Sequence, residues 1–478
     1  MDITDPSAPT QPTAASSDAS SSNPQPENEA ADPPLPGQEN EVQTYQDLHV
    51  LKEVVLGPDD VPKNLSDDES SVPDDDSDAS SIASSAVAME DADAALLPPP
   101  DEDHSVQQLT AHTAPVYAVS VNAAKPDLLA TGGGDDVAML WRVGQPQPLC
   151  KLEGHTDTIS FLGFSADGTL LASAGLDGTV RVWSAENGSL VATLEGPSQG
   201  VTWLCWHTRG AVLLAGSEDV RASTLHLHTY THIHTSLLSR LLSLCPRAQT
   251  TAWMWKLPEG TVMQIFSAHS ASVSYGAFIN NGRAIVTASE DGTVRVWNPR
   301  SGTVDFCLQT NTNPTETRPV TCLAAHPSQP VFMFGTDDGS LKLAHAENGR
   351  LLATFPAHEH SIESAGFSDF SETTQLAASG GMDGRMCLWD LGTLAQRHTC
   401  THPAGVIELK WLKQSPMIIT CSLSRELRLW DGRSGECLQT LTGHLEAVLT
   451  FDVGYTAQGI YLVSGSDDKT ARLWQPRL

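Results

Sequence analysis

Basic side chains are scarce in this sequence. It has 27 Lys and Arg against 58 Asp and Glu in 478 residues, a net charge of −31. Phosphate backbones would be repelled by such a chain, which excludes a general nucleic-acid binder and favours basic partners. No apolar run approaches the roughly 20 residues that a membrane-spanning helix needs. The opening Met1-Asp2-Ile3-Thr4-Asp5-Pro6 has neither the basic nor the apolar region of a secretory signal. The nine cysteines include no Cys-x-x-Cys pair, so neither a zinc site nor a disulfide framework is indicated. A reducing compartment is expected, the cytoplasm and also the nucleus. Phosphate-binding loops, nucleophile elbows and kinase signatures are missing too. No catalytic residue, cofactor or metal is therefore expected, and function should lie on a surface.

The acidity is uneven. Residues 1–104 carry 25 acidic side chains and two basic ones, Lys52 and Lys63, and are rich in Pro, Ser and Ala. Such a stretch cannot bury enough apolar surface to offset its ordering entropy, which predicts a disordered acidic tail over 1–104. One apolar island, Tyr45, Leu48, Val50, Leu51, Val54, Val55 and Leu56, reads either as a residual hydrophobic cluster or as a docking segment. Ser66 and Ser77 stand in acidic runs of the kind acidophilic kinases prefer.

From residue 105 a phrase returns with a period near 42. Gly154-His155 leads to Leu171-Ala172-Ser173-Ala174-Gly175-Leu176-Asp177-Gly178-Thr179-Val180-Arg181-Val182-Trp183, and His269 leads to Thr287, Asp291 and Trp297 in the same order. The closing positions Trp141, Trp183, Trp255, Trp297, Ala344, Trp389, Trp430 and Trp474 are spaced by 42, 72, 42, 47, 45, 41 and 44 residues. Runs such as Thr179–Trp183 alternate with period two, as half-buried strands do, and Asp177-Gly178 and Asp291-Gly292 are hairpin dipeptides. The sequence resembles the WD-repeat family of β-propellers over 105–478. That resemblance implies an all-β ring of four-stranded blades, and eight phrases predict eight blades. The chain ends four residues after Trp474, so Ser105–Leu109 is expected to supply the missing outer strand and lock the ring.

His, Ser or Thr, Asp and Trp recur in that order five times. The sets are His112, Thr131, Asp135 and Trp141; His155, Ser173, Asp177 and Trp183; His269, Thr287, Asp291 and Trp297; His358, Ser379, Asp383 and Trp389; and His444, Ser464, Asp468 and Trp474. One such set suggests a hydrolase. Five around one ring fit a buried hydrogen-bonded series that the family resemblance implies, because buried polar groups must be paired. Pro197 and Glu316 stand where His is expected, Ala215 and Phe334 replace Ser or Thr, and Ser424 replaces Asp. Blades three, five and seven are therefore expected to be less rigid, or adapted to something else.

The 72-residue spacing has an excess of thirty. Joining Asp219 to Thr250 restores the phrase, so Val220–Gln249 is the extra piece. His226, His228, His232 and His234 lie there among Thr and Tyr, a run readable from a CA-rich repeat and followed by a pyrimidine-rich stretch. Residues 220–249 are read as a retained intron. The alternatives are a His-rich metal loop and an ordinary surface loop.

Acidic residues gather on the loops that share one face of such a ring. Glu218, Glu290, Asp337 and Asp467 each precede an Asp-slot residue. Asp157, Glu359 and Glu446 follow the repeat-start histidines. They read either as a solvated face or as an electronegative surface that steers a basic segment. The long acidic tail, the eight repeats and the phrases Thr110-Ala111-His112 and Leu152-Glu153-Gly154-His155-Thr156-Asp157 resemble the angio-associated migratory cell protein family. That family includes a dedicated chaperone for a basic large-subunit ribosomal protein. The resemblance implies a client held by its basic N-terminal segment on the acidic face during ribosome assembly. A scaffold for signalling or cell migration is the competing reading. A closed ring has no free edge that demands a partner, so a monomer is expected.

Overall fold

The computed structural model describes residues 100, 102–197, 199–217, 250–311, 317–370 and 375–477. The predicted tail over 1–104, apart from its last few residues, and the insertion Val220–Gln249 lie outside them. Among the described residues there is no helix, hence none long and apolar enough to cross a membrane. Thirty-two strands form eight four-stranded antiparallel sheets. Seven sheets are simple meanders in chain order. Blade 2 is typical: Ile159–Phe164, Leu170–Gly175, Val180–Ser184 and Leu190–Leu194. The first strand of each blade packs against the first strands of the neighbouring blades, so these eight strands line the centre of the ring.

The eighth sheet closes the circle as the sequence predicts. Gln107–Leu109 pairs antiparallel with Ala471–Trp474, with Gln107 opposite Leu473 and Leu109 opposite Ala471. Leu109 is fully buried in a cluster with Trp141, Val463 and Leu473, so the two ends of the ring share one core. Asp103 adds a clasp. Its carboxylate lies 2.6 Å from Nη1 of the buried Arg472 and accepts hydrogen bonds from the backbone N–H and hydroxyl of Ser105.

Blade cores are built from the period-two pattern. Trp141, Trp255, Trp297 and Trp474 are completely buried. Each innermost strand carries a register shift after its first residue, for example between Ile159 and Phe161 and between Val273 and Tyr275. A bulge leaves one residue unpaired and re-aims its side chain. Ser160, Ser274 and Thr321 occupy such positions, and each hydroxyl donates to the carbonyl of the first residue of the next blade, Val201, Val320 and Ile362. In blades 2, 4 and 5 the bulge thus links one blade to the next.

Blades 3 and 5, which depart from the repeat phrase, are filled by aromatic packing. In blade 5, Phe332 and Phe334 are buried with ring centroids 6.1 Å apart, beside Ala344. In blade 3, Trp253 and Trp255 stack at 6.0 Å.

Candidate functional site

In blades 1, 2, 4, 6 and 8 the buried series forms as the repeat phrase implies. In blade 4, Nε1 of Trp297 donates to Oγ1 of Thr287 at 2.7 Å, that hydroxyl lies 2.7 Å from Nε2 of His269, and Nδ1 of His269 lies 3.1 Å from Asp291. The chemistry fixes the tautomer. A hydroxyl that accepts from tryptophan gives its proton to Nε2, so Nδ1 carries the hydrogen and donates to the carboxylate. The same middle place is taken by a fully buried serine hydroxyl in three blades. Ser173 lies 2.8 Å from His155 Nε2 and accepts from Trp183 at 2.9 Å. Ser379 lies 2.9 Å from His358 Nε2 and accepts from Trp389 at 3.0 Å. Ser464 lies 2.7 Å from His444 Nε2 and accepts from Trp474 at 2.8 Å. Each serine is therefore a relay inside its blade and not a nucleophile open to a substrate, since Ser173, Ser379 and Ser464 are all 0% exposed.

The His–Asp distances in the other four blades are 2.9 Å for His112–Asp135, 3.0 Å for His155–Asp177 and His358–Asp383, and 2.8 Å for His444–Asp468. Burial holds the His155, His269 and His444 imidazoles below their ordinary pKa, against the pull of their aspartates. Burial alone would raise Asp291, but hydrogen bonds from His269, Thr293 and Ser270 hold it well below the carboxylate range. A carboxylate oxygen also accepts the backbone N–H of the residue after the histidine: Thr113, Thr156, Ser270, Glu359 or Leu445. Each series therefore ties the loop entering a blade to its central hairpin, and places both on one face of the ring.

Blade 7 keeps half of this arrangement. His402 Nε2 lies 2.8 Å from Thr420 Oγ1, which accepts from Trp430, but Ser424 stands in the aspartate slot. The residue after the histidine is Pro403, which has no N–H to offer. His402 Nδ1 is buried with no hydrogen-bond partner, and burial followed by the charge of Arg428 pushes its pKa down to about 3.

A second backbone rule builds the rim of this face. The residue just before the aspartate slot donates its N–H to the carbonyl immediately ahead of the innermost strand. The donors are Gly134, Leu176, Glu290, Asp337, Met382, Leu423 and Asp467, at 2.9–3.1 Å. Blade 3 has Glu218 in this slot, which lies outside the described residues. These seven backbones are held alike while their side chains are free to vary. Three of the positions read from the sequence, Glu290, Asp337 and Asp467, are therefore rim residues at equivalent places. Glu290 and Asp337 are exposed and make no ion pair among the described residues. Burial, and then the neighbouring Asp338 carboxylate, raise the Asp337 carboxyl above its ordinary value. Asp467 is half-buried, and its charge adds to burial in raising the Tyr117 hydroxyl. Asp157 and Glu446 are exposed on the loops entering blades 2 and 8. Glu359 is engaged by Arg385 at 2.9 Å, so it has less to offer a cation than the others.

The rim also holds residues that a search for carboxylates passes over. Leu176, Met382 and Leu423 occupy the same slot in blades 2, 6 and 7. Writing the eight repeats one beneath another would have exposed them, because that column reads Gly134, Leu176, Glu218, Glu290, Asp337, Met382, Leu423 and Asp467, three acidic slots in a row followed by two apolar ones.

The middle of the ring is occupied by its own charges. A cavity of about 230 Å³ between blades 1, 2, 7 and 8 is lined by Tyr117, Phe161, Glu408, Lys410 and Asp452 among others. Lys410 Nζ lies 3.0 Å from Glu408 and 3.4 Å from Asp452, and donates to the Phe451 carbonyl. Asp452 accepts the Val121 N–H at 2.8 Å, which ties blade 8 to blade 1. These groups are ring fasteners, which leaves the rim and its loops as the charged surface open to a partner. Among the described residues no three His, Cys, Asp or Glu side chains converge to hold a metal ion.

An eight-bladed ring with this hydrogen-bonded series defines a repeat propeller. The family described as WD domain, G-beta repeat matches eight segments: 103–142, 146–184, 188–219, 260–298, 306–344, 349–390, 395–431 and 435–475. They cover more than half of the chain, which belongs to the WD-repeat family. Within that family it is similar to human angio-associated migratory cell protein, 28% identical over 378 residues, or 76% of this chain and 78% of that one. An uncharacterized WD repeat-containing protein of Schizosaccharomyces pombe is 33% identical over 374 residues, covering 77% and 85% of the two chains. Among solved structures, Chaetomium thermophilum Sqt1 bound to the N-terminus of the ribosomal protein L10 superposes with a TM-score of 0.65 at 20% identity, covering 78% of this chain and all of that one. At that identity the likeness is one of fold.

Proposed function

We propose that this chain is a non-catalytic binding protein that holds a basic protein segment on the rim face, and that the segment is the N-terminus of a large-subunit ribosomal protein kept soluble before assembly. The observation that carries the reading is the pair Glu290 and Asp337. Both residues are held by a backbone hydrogen bond at equivalent rim positions, and both are exposed and without an ion pair among the described residues, although the charge of Arg318 acts on Asp337. Such a surface attracts cationic chains and speeds their capture. The similar fold of an Sqt1 that holds the N-terminus of L10 supports the choice of client. The cytoplasm, and the nucleus with it, is where this client would be met.

The test is capture of a tagged L10 N-terminal segment at low and high salt. Retention falls steeply between about 50 and 300 mM salt, because a surface interaction is screened over a shortening Debye length. The double variant E290K/D337K loses the client at low salt as well. Salt-independent capture, or a double variant that binds as the parent does, would remove the basic-client reading. A scaffold reading finds its support elsewhere, in the outer strands of blades 2 and 3, where Leu190, Val191, Val262, Met263 and Ile265 are exposed. It is favoured if variants there release partners while rim variants do not.

A further inference from the structure

The rim is divided. In blades 4 and 5 its slots hold Glu290 and Asp337, without ion pairs of their own among the described residues, although Arg318 lies 3.8 Å from the adjoining Asp338 and its charge also acts on Asp337. In blades 6 and 7 they hold Met382 and Leu423, and the charges around those two are matched: Glu359 with Arg385 at 2.9 Å and Glu426 with Arg428 at 2.7 Å. Met382 is 38% exposed. Its side chain lies on the loop entering blade 7, so that a Cβ added to Gly405 would stand 2.9 Å from Sδ. Leu423 is joined to that same residue, its N–H donating to the Gly405 carbonyl at 3.0 Å. Met382, Gly405 and Leu423 thus form one continuous apolar step. Two further apolar residues lie on the loops entering blades 7 and 8. Pro403 is exposed, and Leu445, after the histidine of blade 8, is 51% exposed. The polar groups that ought to be here have gone together: blade 7 lacks both the slot aspartate and the N–H that would bond to it.

We infer that the segment held on this face carries an apolar side chain beside its basic residues, the basic part lying over blades 4 and 5 and the apolar anchor over Met382 and Leu423. The inference rests on the basic-client reading above and adds to it the source of specificity. The acidic arc attracts any cationic chain. An anchor buried on the Met382–Leu423 step separates the right segment from other polycations, since apolar contact is unaffected by screening and is lost with one side chain. Asp337 and Met382 occupy consecutive slots, so one short extended stretch reaches both.

Two synthetic peptides of about 16 residues test this. Both are built from Lys and Gly, and one has two leucines where the other has serines. Binding is followed by fluorescence anisotropy at one salt concentration. The leucine peptide binds about tenfold more tightly, the effect of partly burying one leucine side chain. M382S/L423S abolishes that difference and leaves the serine peptide's affinity unchanged. E290Q/D337Q weakens both peptides alike. A thermal melt matching that of the parent shows that each variant folds. If the two peptides bind equally and M382S/L423S changes nothing, the anchor is overturned while the basic-client reading stands. If E290Q/D337Q leaves both affinities unchanged, the basic-client reading itself fails.

Discussion

Replacing Asp291 by alanine tests whether the recurring carboxylates hold the ring together. The Asp291 side chain is 5% exposed and accepts from His269 Nδ1 at 3.1 Å, Ser270 N at 2.9 Å, Thr293 N at 2.9 Å and Thr293 Oγ1 at 2.6 Å. In the alanine variant Ser270, which is exposed, turns to water. The buried His269 Nδ1–H exchanges a charged acceptor for a neutral one, the Thr293 hydroxyl at 3.1 Å. That exchange costs about 1–2 kcal/mol. Loss of the two Thr293 bonds adds about 1 kcal/mol, for a total of about 2–3 kcal/mol. Asp338, at the same slot in blade 5, is the internal control. No histidine faces it among the described residues, and its side chain is 33% exposed. The Thr336 hydroxyl that bonds to it also has the Ser340 carbonyl at 2.9 Å. D338A therefore costs about 1 kcal/mol. Guanidinium unfolding followed by tryptophan fluorescence, with equal slopes for all three proteins, gives both values. If D291A and D338A are equally destabilised, or D291A loses less than about 1 kcal/mol, the carboxylate is not the brace described here.

Three further outcomes follow from other parts of the ring. His402 and His326 are both held neutral by burial, with pKa values pushed down to about 3 and about 4. Their depressed folded pKa means that stability is intact above about 6.5, the unfolded value, and is lost as pH falls toward 4. The loss is about 1.4 kcal/mol per pH unit for each histidine, and H402N removes one such contribution from the acid-unfolding slope. Deleting residues 100–109 uncovers the Leu109 core and leaves blade 8 with three strands, at a cost of at least about 2–5 kcal/mol. D103A alone costs about 1–3 kcal/mol, because it takes the carboxylate from the 6% exposed Arg472 guanidinium and leaves it the Ser105 hydroxyl at 3.3 Å. Excising Val220–Gln249 leaves a protein that folds and melts no lower than the parent, since a shorter hairpin is easier to close by up to ~2 kcal/mol. A transcript sequenced across codons 219–250 that lacks GT and AG at the ends of the segment rules out the intron reading.

The blade-three insertion shows why so much of the fold is readable from the chain. The structure pairs Ala215 with Trp253, and blade 4 pairs Thr287 with Arg295. The two pairs fall into register only when the thirty residues 220–249 are set aside. Repeat spacing thus locates a strand pair across a segment that obeys no repeat. The His–Asp series is readable for the same reason, since every bond in it joins residues within one blade and its entering loop. Ser379 and Ser464 lie 21 and 20 residues from their histidines, well inside one repeat. The seams between blades are not readable in this way. Ser160 to Val201, Ser274 to Val320 and Lys410 to Phe451 are links across 41 to 46 residues, made by a serine at two of these seams and by a lysine at the third.

The rim follows the same logic one step further. Its backbone is set by a local hydrogen bond that any residue but proline can make, and so it leaves no mark on the sequence. What varies is the side chain, and only a ring brings Glu290, Asp337, Met382 and Leu423 into consecutive slots. A search for charge finds the first two, and a search for buried apolar periodicity passes over the last two because they are partly exposed. In seven blades the same backbone bond holds the slot, so the side chain can change there without disturbing the ring. Exchanging the contents of two slots, with D337M and M382D in one chain, keeps the composition and every backbone bond. It should leave stability within about 0.5 kcal/mol, as surface substitutions do. It should also erase the tenfold preference for the leucine peptide, because acidic and apolar slots then alternate and no two apolar slots adjoin. A swapped protein that still prefers that peptide would mean that the patch as a whole, and not its sequence of slots, reads the partner.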